Sequence, residues 1–228
     1  MTRNVKEPAD GRTTRWEVHR TERRAEFVAA AVRAIDAHGP DAAIADIAIE
    51  AGVSKPVLYR YFADKAELHT EVGHWGAQQV LDRIMPALLA TAPVREKVAR
   101  SVEAYLATIE EHPQVFLLLV RNHVGGDPLA GGKERIAASF ARVLGDTLRR
   151  LGVDAAGAEP WAHGMVGMGL ATGEWWLERR TMSRAAVSRY LTDFVWHAFE
   201  GIAEEYGVPL TALDEIGSVT PIDKEARR

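Results

Sequence analysis

The 228-residue chain contains no cysteine. This absence excludes a disulfide framework, a thiolate zinc site and a cysteine nucleophile. No apolar run approaches the roughly 18–20 residues that a membrane-spanning helix needs, and the charged first residues lack the hydrophobic centre of a signal peptide. No stretch alternates apolar and polar residues long enough to predict a strand. We therefore expect a cytoplasmic protein built from helices.

Charge of neither sign dominates the chain. It carries 28 Lys and Arg against 32 Asp and Glu, for a formal net charge of −4, and 47% of its residues are hydrophobic. Residues 1–24, however, hold seven basic and four acidic side chains, and residues 53–65 hold three and one. Nucleic acids bind to local positive patches, whatever the net charge of the whole chain, so these two segments are candidates for a nucleic-acid interface.

Apolar residues recur at three- and four-residue spacing through most of the chain, which predicts an all-α protein. Thr21 can cap the first helix, Gly39-Pro40 ends it, and Pro86 bends or ends the fourth. The expected helices cover residues 21–38, 44–51, 54–62, 64–86, 94–111, 113–124, 133–151, 160–179 and 184–206.

The segment 51–54, Ala-Gly-Val-Ser, joins the second and third helices and predicts a helix-turn-helix. Gly52 suits a left-handed turn, and Ser54 can cap the third helix. That helix is expected to enter a DNA major groove. We assign phosphate contacts to Ser54, Tyr59, Tyr61 and Lys65, and base-edge contacts to Lys55, Val57 and Arg60. The alternative is a plain helical hairpin in which Tyr59 and Tyr61 are packing aromatics.

Residues 46–48 (DIA), 51–65 (AGVSKPVLYRYFADK) and 67–68 (EL) closely resemble the TetR family of bacterial transcriptional regulators. The resemblance covers roughly residues 20–70. It implies that three N-terminal helices bind operator DNA, and that a variable helical C-terminal domain dimerises and binds a small molecule. Ser54, Tyr59, Tyr61 and Lys65 fall on family positions that commonly touch phosphates. The family's usual threonine at the start of the second helix is missing, so Asp41 is expected to cap that helix.

The rest of the chain predicts an interface and a cavity. Trp161, Met165, Met168, Thr172 and Trp175, and on the last helix Val187, Leu191, Phe194, Ala198 and Ile202, follow a four-three rhythm that suits a four-helix dimer interface or each protomer's own core. Arg121, Asn122 or His123 is expected to meet a polar ligand head. The residues expected to line an apolar effector cavity are Phe116, Val120, His123, Phe140, Met165, Met168 and Trp175.

The expected organisation is a flexible basic arm at residues 1–19, a DNA-binding domain at 20–66, an effector-binding and dimerisation domain at 67–208, and a loose tail at 209–228. We expect a homodimeric repressor that binds a palindromic operator and is released by a hydrophobic effector such as a lipid, an acyl chain or a drug. No enzyme activity, metal or cofactor is expected, because no nucleophile–base pair or ligand cluster can be named. The alternatives are an activator, and a helical carrier or enzyme that uses the same cavity without specific DNA binding.

Overall fold

The computed structural model describes the backbone of residues 11–121 and 126–209, with side chains from residue 18 onward. Within these residues the chain forms α-helices and no strand, as the sequence predicted. The helices are α1 (Gly11–His38), α2 (Ile44–Glu50), α3 (Lys55–Leu58), α4 (Lys65–Leu89), α5 (Val94–Glu111), α6 (Pro113–Val120), α7 (Ala130–Arg150), α8 (Ala158–Arg179) and α9 (Arg184–Glu205). We call α1–α3 the headpiece and α5–α9 the body; α4 belongs to both.

Several helix ends differ from the prediction; among them, α6 ends at Val120 rather than 124 and α7 begins at Ala130 rather than 133. α1 begins at Gly11, so Thr21 lies inside the helix instead of capping it, and residues 11–19 are helical rather than part of a flexible arm. Extending a formed helix adds one hydrogen bond for each residue that is fixed, which favours this continuation. α3 ends at Leu58, short of Phe62, and α4 continues through Pro86 to Leu89. Only the last turn of α4 follows Pro86, so the missing amide affects few hydrogen bonds.

The headpiece is built on a deeply buried apolar core. Each of its helices contributes a fully buried side chain, and α4 and α6 close the core from the side of the body. α6 joins this core through Val115, Leu118 and Leu119. The fully buried residues of the headpiece and α4 include Phe27, Ile35, Ile47, Leu58 and Leu68. Headpiece and body therefore share a continuous interior.

A second core joins α5, α6, α8 and α9 in the body. Its largest member, Trp176, is 1% exposed, and its indole N–H donates to the Met182 carbonyl at 2.9 Å. α8 packs closely here because it has a glycine at position 173. A Cβ on Gly173 would lie 2.7 Å from the Tyr105 hydroxyl and 2.8 Å from Phe116 Cζ. Glycine thus allows a helix approach that any larger residue would obstruct.

The two stripes predicted for a dimer interface turn largely inward. Met165 and Met168 line a cavity, and Val187 and Leu191 are buried in the second core. These four side chains therefore face the interior of the protomer and not its surface. The exposed residues of α8 include Gly164, Gly167 and Ala171 beside Trp175, which is 37% exposed. On α9 the large exposed apolar side chains are Tyr190 and Phe194, and Ala198 of the predicted stripe is also exposed.

Candidate nucleic-acid interface and internal cavity

The turn between α2 and α3 has the geometry of a helix-turn-helix. Gly52 adopts φ +65°, the left-handed conformation that glycine accepts without strain. The amides of Gly52 and Val53 donate back to the Ile49 and Ala48 carbonyls, at 3.0 Å in each case, and so complete the end of α2. Ser54 is the N-cap of α3, but its hydroxyl makes no capping hydrogen bond.

α2 begins differently from the prediction. Ala43 is its N-cap, and the Asp46 carboxylate accepts from the Ala43 amide at 2.9 Å. Asp41 was expected to cap the helix and does not. A carboxylate in the first turn of a helix can reach back to the N-cap amide, which leaves the cap position open to alanine.

The predicted DNA-contacting residues divide by exposure. Ser54, Lys55, Tyr59 and Arg60 are exposed, with Tyr59 at 47%. Val57, Tyr61 and Lys65 are half-buried. The Tyr61 ring packs edge-on against Phe27 with a centroid distance of 5.1 Å, and Lys65 Nζ donates to the Ala42 carbonyl at 2.9 Å. The exposed face formed by α3 and the following turn therefore combines cations with an aromatic ring. The opposite face of this segment is apolar.

Sequence reasoning missed Arg24, which holds this surface in place. Its Nη1 donates to the Tyr61 carbonyl, and its Nη2 donates to Glu67 and Glu71 at 2.9 and 3.0 Å. Its guanidinium also lies 4.5 Å from the centre of the Phe62 ring. Arg24 thus ties α1 to α4 and to the turn after α3. The available signal was its position three residues before Phe27, on the apolar face of α1.

The charges of this network stabilise one another. The pKa of Glu67 is lowered by a hydrogen bond from the Ala63 amide, at 2.6 Å, and by the Arg24 guanidinium. Partial burial alone would lower the pKa of Arg24, but its hydrogen bonds to Glu67 and Glu71 raise it. Both groups therefore remain charged at neutral pH, and the turn after α3 is anchored by ionic hydrogen bonds.

The body and α4 surround a partly open, apolar cavity of about 200 Å³. Four of the predicted effector contacts line it: Phe116, Phe140, Met165 and Met168. Val120 packs against the two cores and Trp175 lies on the exposed side of α8, so neither lines the cavity. His123 and Asn122 fall outside the described residues, and the remaining candidate for a polar head, Arg121, pairs with Glu178 at 3.2 Å.

Few polar groups face this cavity, and one of them lacks a partner. The Tyr105 hydroxyl donates to the Gly169 carbonyl at 2.7 Å, and complete burial raises its pKa. The Thr108 hydroxyl donates to the Ala104 carbonyl. Ser101 is 8% exposed, and its buried Oγ has no hydrogen-bond partner in the structure. A buried hydroxyl in this state is available to a ligand that carries one polar group.

The cavity continues toward the far end of the body. A second cavity of about 240 Å³ shares with it Leu88, Val98, Val143, Leu144 and Phe199. The second cavity is also lined by the side chains of Lys97 and Arg150. Within residues 11–121 and 126–209, no group of three His, Asp or Glu side chains is placed to hold a metal ion, and no helix has the length and apolarity to cross a bilayer.

A glycine turn that presents a cationic, aromatic helix face above an apolar core defines a helix-turn-helix DNA-binding regulator. Known proteins agree. The profile described as "Bacterial regulatory proteins, tetR family" matches residues 27–72, and the profile described as "Tetracyclin repressor-like, C-terminal domain" matches residues 83–210. The chain belongs to the TetR family of transcriptional regulators.

Curated relatives support this assignment along the chain. The protein is 36% identical over 202 residues to an uncharacterized HTH-type transcriptional regulator of Mycobacterium tuberculosis, covering 87% of this chain and 86% of the relative. It is 30% identical over 198 residues to the HTH-type transcriptional activator FasR of Mycolicibacterium smegmatis, covering 85% and 90%. The chain therefore resembles these regulators over nearly their whole length.

Solved structures share the fold. A tetR-family transcriptional regulator from Streptomyces coelicolor has a TM-score of 0.67 at 24% identity, covering 86% of this chain and 88% of that one. The regulator FadR from Bacillus subtilis, in complex with stearoyl-CoA, has a TM-score of 0.59 at 17% identity, covering 74% and 95%. The helical headpiece and body thus recur in proteins of low sequence identity.

Proposed function

We propose that this protein is a homodimeric repressor that binds a palindromic operator and is released by a hydrophobic ligand. The observation that carries the DNA half of this proposal is the exposure of Lys55, Tyr59 and Arg60 beside the left-handed turn at Gly52. In a two-fold dimer the two copies of α3 would enter successive major grooves, roughly 34–36 Å apart. The resemblance of residues 46–68 to the family's DNA-binding motif supports the same assignment.

A first experiment tests the roles of the individual DNA contacts. Fluorescence anisotropy with the chain's own upstream DNA, over a range of salt concentrations, compares the wild type with single variants. Lys65→Ala is expected to weaken binding about equally for all sequences and to reduce the salt slope by about 1. Tyr59→Ala is expected to weaken binding equally for all sequences, whereas Arg60→Ala relaxes base preference at one operator position.

Arg142→Ala is the matched control because it removes a positive charge from the exposed side of α7. It should leave DNA affinity unchanged. If Lys65→Ala changed base preference and left the salt slope intact, the phosphate assignment would be wrong. A wild-type protein that retards no DNA in a sequence-dependent way would favour the carrier alternative.

Exposed surfaces on α8 and α9 support the dimer. A Cβ added at Gly164, Gly167 or Gly201 would meet nothing within 4 Å, and Phe194 is 67% exposed. Small exposed residues allow helices of two chains to approach closely, and a large exposed aromatic ring supplies apolar area that such an interface buries. Light scattering of Phe194→Asp is expected to give the monomer mass, while Met182→Asp, at another exposed apolar position, leaves the dimer intact. A dimeric Phe194→Asp would place the interface elsewhere.

The cavity supports a hydrophobic effector with a single polar group. Its lining is apolar apart from a few hydroxyl, amide and ring groups, and Ser101 Oγ has no partner there. A long acyl chain fits this chemistry, and a FadR neighbour is described in complex with stearoyl-CoA. Native mass spectrometry of the purified protein should reveal a retained lipid-like mass. Addition of stearoyl-CoA as a probe should lower operator affinity.

One relative favours transcriptional activation as a second candidate function. FasR, at 30% identity, is named a transcriptional activator. A reporter gene driven by the chain's upstream DNA distinguishes the two possibilities. Deletion of the regulator raises reporter output if it represses and lowers output if it activates.

A further inference from the structure

His112 lies at the junction of α5 and α6, and α6 packs against α1 of the headpiece. It is both the C-cap of α5 and the N-cap of α6, with φ −128° and ψ 61°. Its side chain also lines the internal cavity. Any ligand that fills this end of the cavity therefore contacts the residue on which α5 ends and α6 begins.

The same side chain reaches the headpiece. The carboxylate of Asp36, in the last turns of α1, can only accept hydrogen bonds, so the Nδ1–H of His112 donates to Asp36 Oδ2, at 2.6 Å. The other carboxylate oxygen, Oδ1, is buried and has no partner in the structure. On its other side the His112 ring packs edge-on against Trp75 of α4, with a centroid distance of 5.1 Å. Three helices and the cavity therefore converge on one imidazole.

We propose that His112 is the positioning residue through which a ligand in the cavity acts on the DNA-binding headpiece. The inference rests on the proposed function and adds the contact that links its two halves. A ligand that displaces the His112 ring, or the Trp75 ring beside it, must break the bond to Asp36 or carry α1 with it. A ligand changes DNA affinity only through such a difference between two states of the protein.

The end of α1 is well placed to transmit this change. Asp36 follows the fully buried Ile35 and precedes the left-handed turn at Gly39 that leads into α2. Arg33, one turn earlier, pairs with Glu50 of α2 at 2.5 Å. A shift of the last turn of α1 therefore moves α2, and α3 follows because it is joined to α2 by the turn at Gly52. With the Asp36 bond intact, the headpiece is held in the arrangement that binds DNA.

The test removes the His112–Asp36 hydrogen bond by changing each partner in turn, and compares these variants with one that breaks a neighbouring ion pair. His112→Phe keeps a ring against Trp75 but has no N–H to donate, and Asp36→Ala removes the acceptor. His112→Gln keeps a donor and is expected to restore part of the wild-type behaviour. The matched control is Glu111→Ala, which breaks the pair with Arg83, at 2.7 Å, that joins α4 to α5 without touching the headpiece.

Operator affinity is measured by anisotropy with and without stearoyl-CoA as the probe, and probe affinity is measured separately by calorimetry. We expect the probe to weaken DNA binding of the wild type and of Glu111→Ala by tenfold or more. In His112→Phe and Asp36→Ala this factor falls below threefold, while probe affinity stays within threefold of the wild type. The double variant should behave like either single one, because both remove the same bond.

A second measurement needs no probe. Hydrogen exchange at the end of α1 is expected to be faster in His112→Phe and Asp36→Ala than in Glu111→Ala, and operator affinity without probe is expected to be lower. If both quantities matched the control, the role of His112 would be disproved whether or not the probe binds. If His112→Phe retained the full tenfold response, the inference would also fail while the proposed function stood. A wild type that binds DNA and ignores the probe contradicts the effector half of the proposed function, and the exchange result still decides the role of His112.

Discussion

The headpiece and the body bury their apolar residues in different ways. In the headpiece, side chains such as Ile47 and Leu58 are 0% and 1% exposed, and neither lines either of the two cavities described. In the body the helices surround a cavity of about 200 Å³, and Ser101 Oγ is left without a partner. Protein interiors normally pack as densely as organic crystals, so an apolar cavity of this size leaves room for a ligand or for rearrangement. The comparison indicates that the headpiece has a tightly buried core, whereas the body has room to rearrange around a ligand.

The largest expected effect tests whether the headpiece is as tightly packed as its burial indicates. Leu58→Ala should lower the free energy of unfolding by about 3 kcal/mol, because the fixed neighbours cannot fill the space. Met168→Ala, at the edge of the existing cavity, should cost about 1 kcal/mol, because its side chain is only partly buried. Urea denaturation measures both. Equal costs at the two positions would remove the contrast between headpiece and body.

The next test compares two glycines of α8. Gly173→Ala places a Cβ within 3 Å of Tyr105, Phe116 and Ile109 and should destabilise the protein by about 2 kcal/mol. Gly167→Ala meets nothing within 4 Å in the protomer, where it would only raise helix propensity, by up to about 1 kcal/mol. In the proposed dimer the added Cβ faces the second chain, so we expect this variant to unfold more easily than the wild type, by less than Gly173→Ala. Thermal unfolding measures the two shifts. A Gly167→Ala variant that is more stable than the wild type would show that no second chain packs closely against this face.

A smaller effect concerns the ionic anchor of the headpiece. Because the pKa of Glu67 is lower in the folded protein than its ordinary value of 4.5, its contribution to stability is present above pH 4.5 and is lost as the pH falls through the lowered value. Glu67 is partly exposed, so we expect this contribution to be below about 1 kcal/mol. Stability curves from pH 7 to about pH 3 should fall less steeply for Glu67→Gln. Parallel curves would show that Glu67 does not contribute.

The smallest effect is expected in the cavity wall. Ser101→Ala removes a buried hydroxyl that has no partner, so the melting temperature should stay constant or rise slightly. Thr108→Val, on the same helix, removes a hydroxyl that does donate and should lower the melting temperature. Differential scanning calorimetry of the two variants measures the difference. A clear loss of stability in Ser101→Ala would mean that the hydroxyl has a partner in solution.

The headpiece could be predicted closely because local chemistry specifies it. Gly52 and Gly39 adopt φ +65° and +91°, conformations that few other residues accept, so their positions mark the turns. The burial of Ile47 and Leu58 follows from their spacing. Arg24 was missed because its partners Glu67 and Glu71 lie far along the chain, and only the folded structure brings them together.

The body could be predicted only in outline. Its helices follow from periodicity, but the face that each helix buries depends on its neighbours in space. Trp175 and Trp176 are adjacent in sequence, and Trp175 was expected to lie in the four-three stripe and to line the cavity, yet Trp176 is the buried one. Successive residues on a helix point about 100° apart, so a small error in the expected rotation exchanges one tryptophan for the other. Tight packing at Gly173 fixes that rotation, and no sequence rule reveals it.

α4 gives this architecture a mechanical property. Its 25 residues run without interruption from the headpiece core at Leu68 to the cavity wall at Ile84 and Leu88. At 1.5 Å per residue the helix is a rod of about 37 Å, and a pivot of about 5° at one end swings the other by about 3 Å. A displacement of that size is comparable to the length of one hydrogen bond. A ligand that tilts α4 by only a few degrees would therefore displace the side chains of α3 far enough to break their proposed hydrogen bonds to DNA.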